Sequence, residues 1–161
     1  MANVYIGLGS NLENPLSQLQ IAIEHLEALP ATDLVNCSQF YGSKPLGPDD
    51  QPDFVNAVCQ VETQLSPHAL LAALQQIEIE QGRIKKRHWG ERLIDLDILL
   101  YADEIIKTAD LTIPHAEIDL RDFVLIPLAE ISPGLVIPGL GSVETLISNL
   151  ERSYLKPLNR I

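Results

Sequence analysis

Asp95-Leu96-Asp97-Ile98-Leu99-Leu100-Tyr101 begins as an alternation of charged and apolar residues and ends as an apolar run. That pattern reads as a strand. A period of two puts Asp95 and Asp97 on one face, their Cβ atoms roughly 7 Å apart, with Leu96 and Ile98 on the other. Just upstream, Gly82-Arg83-Ile84-Lys85-Lys86-Arg87-His88-Trp89-Gly90-Glu91-Arg92 concentrates Arg83, Lys85, Lys86, Arg87 and Arg92 in a chain with only 11 Lys and Arg and a formal net charge of −11. Two carboxylates on one strand face suit one or two hard cations held through oxygen. Mg²⁺ is usually bound by one or two carboxylates together with substrate phosphates. Neighbouring carboxylates also raise each other's pKa unless a cation compensates them. Each half has a plainer reading, as a solvated charge run or an edge strand with a wet face. Their adjacency favours a nucleotide-triphosphate site. Trp89, the single Trp, stands in this polar loop, where a flat π-face beside cations suits a planar ligand.

Outward from this stretch the elements alternate. Val4 to Gly9 reads as a buried strand running into a glycine-rich turn. Gly7-x-Gly9 lacks the third glycine of a dinucleotide fingerprint, and no Walker A loop occurs, so side chains such as the arginines must hold phosphate. Asn14-Pro15 opens a helix as N-cap and N1, with Leu16, Leu19, Ile23 and Leu26 on one face and an end near Pro30. Leu34 to Tyr41 reads as a second strand. Residues 42–53, rich in Pro, Gly and Asp, read as a long loop, either a lid that binds ligand or a mobile hairpin connection. Phe54 to Thr63 is a third strand: Val55, Ala57, Cys59 and Val61 face the helices, while Phe54, Asn56 and Val58 face away. Ser66-Pro67 opens a second helix that buries Leu70, Leu71, Leu74 and Ile77 and stops at Gly82. Gln75 and Glu78 share a flank of it, where exposure to solvent is the default. After the Asp strand come a turn at Asp103-Glu104, an extended Leu111-Thr112-Ile113 stopped by Pro114, an apolar helix beginning at Arg121 and Phe123, and a last helix capped by Ser142.

Strand, helix, strand, strand, helix, strand is the order of a ferredoxin-like α+β sandwich. It predicts an antiparallel sheet with helices packed on one face and a ligand cleft with mobile loops on the other. The 161 residues make one domain, 1–161. No apolar run approaches a membrane span, and Met1-Ala2-Asn3-Val4 lacks the basic start of a signal peptide. Cys37 and Cys59 sit in strand-like alternation and read as buried thiols of a reducing compartment, not as metal ligands. A cytoplasmic protein is expected. Its acidity argues against a general nucleic-acid binder.

His88-Trp89-Gly90-Glu91-Arg92-Leu93-Ile94-Asp95-Leu96-Asp97-Ile98-Leu99 resembles the signature of the 6-hydroxymethyl-7,8-dihydropterin pyrophosphokinases of folate biosynthesis. Gly9-Ser10-Asn11, Pro45-Leu46-Gly47-Pro48 with Gln51-Pro52-Asp53-Phe54-Val55-Asn56, and Ile113-Pro114-His115 extend the likeness over nearly the whole chain. The resemblance implies transfer of pyrophosphate from ATP to the hydroxymethyl group of the pterin, with AMP as product. It implies two Mg²⁺ ions on Asp95 and Asp97, and Arg83 and Arg92 on the phosphates as catalytic groups. Lys85, His115 and Arg121 would add triphosphate contacts, and Gln75 and Glu78 would lie toward the nucleotide. Phe54 and Phe123 would sandwich the pterin and Asn56 would read its edge. Ser43, Leu46 and Trp89 would close over it as loops 43–53 and 82–92 act as lids. Partners are then small molecules only, with no nucleic acid and no membrane, and a monomer is expected. Asp110 and Ala116 depart from the basic and aromatic residues that can occupy those places. The residues alone stop at Mg-dependent transfer from a nucleotide. They leave open another nucleotidyl or glycosyl transferase built on Asp-x-Asp, or a non-catalytic RNA-binding module, although Phe54 is the only aromatic suited to the latter on the central strands.

Overall fold

The structure is a computed structural model that describes residues 1–11, 14–43, 54–82, 94–150 and 156–158. In chain order its elements are β1 (Ala2–Ser10), α1 (Pro15–Glu27), β2 (Thr32–Cys37), β3 (Phe40–Ser43), β4 (Phe54–Thr63), α2 (Pro67–Glu80), β5 (Asp95–Tyr101), β6 (Ile106–Lys107) and β7 (Thr112–Ile113). A 3₁₀ turn at Ile118–Leu120 leads to α3 (Asp122–Ile131), β8 (Val136–Ile137), β9 (Gly141–Ser142), α4 (Val143–Ser148) and β10 (Lys156–Leu158).

The main sheet runs β10-β3-β4-β1-β5, with β2 also paired to β4. Every pairing in it is antiparallel. This is the ferredoxin-like order, and the α+β class expected from the element sequence is the one observed. Alternation explains the layers. Val4, Ile6 and Leu8 of β1, Val55, Ala57, Cys59 and Val61 of β4, and Leu96 and Ile98 of β5 form one core with Leu19, Ala22 and Leu26 of α1 and Leu70, Leu74 and Ile77 of α2. Side chains buried this fully contribute roughly 1.5–3 kcal/mol each for the larger aliphatics.

The helix ends follow local chemistry. Ser66 Oγ accepts the Ala69 N–H, Pro67 takes the first turn, and Gly82 follows the helix end at φ 97°. α1 likewise starts at Pro15, but Asn14 adopts the left-handed conformation (φ 58°) and makes no capping bond. Asn tolerates that conformation better than most residues.

Three local readings change. The strand expected over Leu34–Tyr41 is two strands, broken at Ser38-Gln39. There Ser38 Oγ accepts the Val58 N–H, and Glu130 of α3 accepts the Gln39 N–H and the Tyr41 hydroxyl. These bonds replace ladder bonds and let the chain step from β2 to β3. Second, the glycines near the start do not turn: β1 stays extended through Ser10, because β4 and β5 pair it on both sides. Third, the sheet face away from α1 and α2 is open only in part. Val124, Leu125 and Leu128 of α3 and Val143 and Leu146 of α4 cover Tyr5, Val58, Leu99 and Leu100 on it.

A bulge in β5 reconciles the two layers. The register against β1 shifts between Tyr5 and Ile6, where Tyr5 faces Leu100 and Ile6 faces Ile98. Leu99 and Leu100 therefore both join the second core, while Ile98 and Tyr101 belong to the first. His115 N–H donates to the Leu99 carbonyl at 3.0 Å. Tyr101, its hydroxyl donating to the Leu65 carbonyl, anchors the far end.

Candidate active site

Where α3 and α4 leave the second face uncovered, a cavity of about 410 Å³ opens over β4, β1 and β5, a size in the range of small-molecule sites. β4 brings Phe54 and Asn56 to it, β5 brings Asp95 and Asp97, and the start of α3 brings Arg121, Phe123 and Val124. Its floor is β1, at Gly7 and Gly9. Gly7 lies between Val58 and Asp97 in the sheet, and Gly9 between Asn56 and Asp95. A Cβ on Gly9 would stand 2.7 Å from Asn56 Oδ1, and one on Gly7 would stand 3.3 Å from the Leu99 side chain. The floor is bare backbone because the neighbouring strands lay their side chains across it.

Period two places both aspartates on this face, and both are exposed, while Leu96 between them is buried. Hard oxygen donors in this arrangement fit Mg²⁺ shared with substrate phosphates. Among the described residues no group of three or more His, Cys, Asp or Glu could hold a metal. Asn56 is 8% exposed, with an amide that can both donate and accept. Phe54, unusually for a large apolar side chain, is 39% exposed. Arg121 lies 5.4 Å from the Phe123 ring centroid and bonds Glu117 through Nε and Nη2. That cation–π stacking holds the guanidinium beside the ring at the cavity wall.

Of the expected site residues, the cavity thus brings together Asp95, Asp97, Phe54, Asn56, Arg121 and Phe123. Three lie apart from its lining. Gln75 is exposed on α2. His115 is half-buried behind the bulge, its Nδ1 accepting the Glu117 N–H, which leaves the proton of the neutral ring on Nε2. Glu78 is 3% exposed instead of solvated, and its Oε2 accepts the Leu96 N–H at 2.9 Å. It braces β5 between the two aspartates from the helix side. Ser43 closes β3 opposite Phe54. Arg83, Lys85, Trp89, Arg92 and Leu46 lie outside the described residues. Asp110 is engaged by Thr108 and His68, whose hydrogen bonds hold its carboxyl below the usual range. The floor glycines were missed as site residues. No local signal marks them, because two glycines at that spacing read equally well as a turn.

A ferredoxin-like sandwich that gathers two carboxylates, an amide and two phenyl rings in one cavity has the layout of a small-molecule transferase. Residues 5–133 match the 7,8-dihydro-6-hydroxymethylpterin-pyrophosphokinase (HPPK) family, and the chain belongs to it. It is 51% identical over 159 residues to the 2-amino-4-hydroxy-6-hydroxymethyldihydropteridine pyrophosphokinase of Haemophilus influenzae, covering 99% of each chain. It is 50% identical over 135 residues to the Pseudomonas aeruginosa enzyme of that name, covering 84% of this chain and 83% of that one. The Plasmodium falciparum HPPK-DHPS crystal structure with pteroate shares the fold at a TM-score of 0.73 and 16% identity, over 91% of this chain; the chain spans 42% of that protein. The protein is an enzyme of the diphosphokinase class, a pyrophosphokinase of folate biosynthesis acting on small molecules. Among the described residues, no helix is long and apolar enough to cross a membrane.

Proposed function

We propose that the chain transfers a pyrophosphoryl group from ATP to the hydroxymethyl oxygen of 6-hydroxymethyl-7,8-dihydropterin, releasing AMP and the pterin diphosphate. The observation that carries this reading is the single cavity that holds Asp95 and Asp97 together with Phe54, Asn56 and Phe123. Phe54 and Phe123 flank the flat heterocycle, and Asn56 meets the donor and acceptor atoms of its edge. Its burial makes an unmatched edge costly, by roughly 1–3 kcal/mol for each unsatisfied polar group. Gly7 and Gly9 leave room for the Leu99 side chain and the Asn56 amide to lie across β1 beneath the ring. Arg121, steered by Glu117 and Phe123, presents its charge to the triphosphate. The Asp95 and Asp97 carboxylates would hold two Mg²⁺ ions, which when bound would neutralise polyphosphate charge and lower the pKa of the attacking hydroxyl.

The remaining roles follow the family likeness. Arg83 and Arg92 neutralise charge on the leaving nucleotide, Lys85 and His115 add phosphate contacts, and Gln75 and Glu78 lie on the nucleotide side. Ser43, Leu46 and Trp89 close over the pterin, excluding water that would otherwise hydrolyse ATP. On this reading the chain is one catalytic domain, 1–161, working as a cytoplasmic monomer.

The test is a product assay with ATP and the pterin alcohol, with magnesium and after its removal by chelation. One AMP per pterin diphosphate, lost on chelation and restored by magnesium, is expected. Release of ADP or inorganic pyrophosphate in place of AMP would overturn the proposal, as would full turnover without a divalent cation.

A further inference from the structure

We propose that Cys37 and Cys59 are an oxidisable pair, which closes to an intramolecular disulfide by exchange with a small-molecule disulfide of the glutathione class. The argument starts from the sheet. Cys37 and Cys59 stand directly opposite each other on β2 and β4. The next pair, Ser38 and Val58, is joined by a backbone bond of 2.8 Å from the Ser38 N–H to the Val58 carbonyl. Hydrogen-bonded and non-bonded pairs alternate along an antiparallel ladder, so the cysteines occupy a non-bonded pair. There opposed Cα atoms come closest, about 4.5 Å apart, within the span of about 4.4–6.8 Å that a disulfide bridges.

The side chains meet as well as the backbone. Cys59 is fully buried in the core under α1 and α2, and Cys37 packs against that core from a half-buried position. Their Sγ atoms lie 2.8 Å apart. This arrangement is unlike the chance pairing of two thiols on a surface, because the register holds both sulfurs on the same face of the same sheet.

Unequal exposure sets the order of the chemistry. The Cys37 thiolate, reachable from solvent, attacks one sulfur of the small disulfide. That S–S bond breaks, one small thiolate leaves, and Cys37 carries a mixed disulfide. Cys59 then loses its proton to solvent base and attacks Cys37 Sγ, expelling the second small thiolate. The two protein thiols lose two electrons, and the oxidant gains them as two thiols. The bond would fasten β2 to β4 just before the Ser38-Gln39 step into β3, on the sheet face opposite the cavity.

The purified full-length chain is incubated with glutathione disulfide at mildly alkaline pH, unfolded, blocked with N-ethylmaleimide and weighed intact. The starting protein is expected to take two maleimides. The oxidised protein should take none, be lighter by two hydrogens before blocking, run as a monomer without reductant, and regain both maleimides after dithiothreitol. Cys59→Ser should instead retain glutathione on Cys37. The proposal is overturned if the wild-type chain still takes two maleimides, remains glutathionylated, or links to a second copy. The wild-type masses decide this even if the variant fails to fold.

Discussion

On β4, Val55, Ala57, Cys59 and Val61 face α1 and α2 and are between 0% and 5% exposed, whereas Phe54, on the other face of the same strand, is 39% exposed. β1 repeats the contrast, with Val4, Ile6 and Leu8 in the core and Gly7 and Gly9 beneath the cavity. β5 repeats it again, with buried Leu96 and Ile98 between and beyond exposed Asp95 and Asp97. One backbone thus serves two purposes. The helix face supplies stability through apolar area. The cavity face gives up part of that filling in exchange for space, charge and an amide.

The difference can be tested from both sides. The largest expected effect is on the cavity face: changing Asp95 and Asp97 together to Ala should lower turnover by roughly 10²-fold or more, the scale of losing one preorganised electrostatic contact to reacting groups. Thermal unfolding should hardly change, because both side chains are exposed. A fall in stability comparable to that of a core variant would erase the distinction. On the helix face, Leu74→Ala, from a fully buried position, should cost about 2–5 kcal/mol in denaturant titration. The kcat of the folded fraction should stay the same.

A finer test sits on the floor. Gly9→Ala would press its Cβ on Asn56 Oδ1. It should raise KM for the pterin about tenfold, a cost of about 1.4 kcal/mol, and leave KM for the nucleotide unchanged. Equal changes in both constants would mean that Asn56 does not read the heterocycle.

The smallest effect concerns the polar seam between β3 and α3. Burial first, then the hydrogen bond and the charge of Glu130, push the Tyr41 phenol from 10.0 up to about 12. The folded state favours the protonated form. Its contribution to stability is therefore complete below pH 10 and lost as pH rises through about 12. Tyr41→Phe should flatten the fall of stability with pH over that window, measured by denaturant midpoints.

Legibility divides along the same line. β4 was readable to its end residues because Val55, Ala57, Cys59 and Val61 mark every second position. α2 was readable because Ser66, Pro67 and Gly82 punctuate it. Asp95 and Asp97 stood out as charges at alternate positions of a strand and Asn56 as an amide within one, Phe54, Arg121 and Phe123 followed only from the family resemblance, and the fold gathers all six. Other features depend on partners distant in sequence. Nothing local to Gly7 and Gly9 distinguishes a turn from a strand held on both sides. Ser38 breaks its strand through bonds to Val58, and Gln39 through Glu130, 91 residues away. Glu78 reads as a solvated flank residue until Leu96 is placed above it. Within Ile98–Tyr101 every residue is apolar, so periodicity could not show where the bulge falls.

That irregularity in β5 has an evolutionary consequence. Tyr101 is tied down at one end, and the extra residue between it and Asp97 determines which way the acidic pair points. Deleting a single codon there would rotate both carboxylates into the aliphatic interior while leaving composition almost untouched. Homologous genes should therefore vary in spelling along this segment but hold its length constant, and accommodate insertions elsewhere.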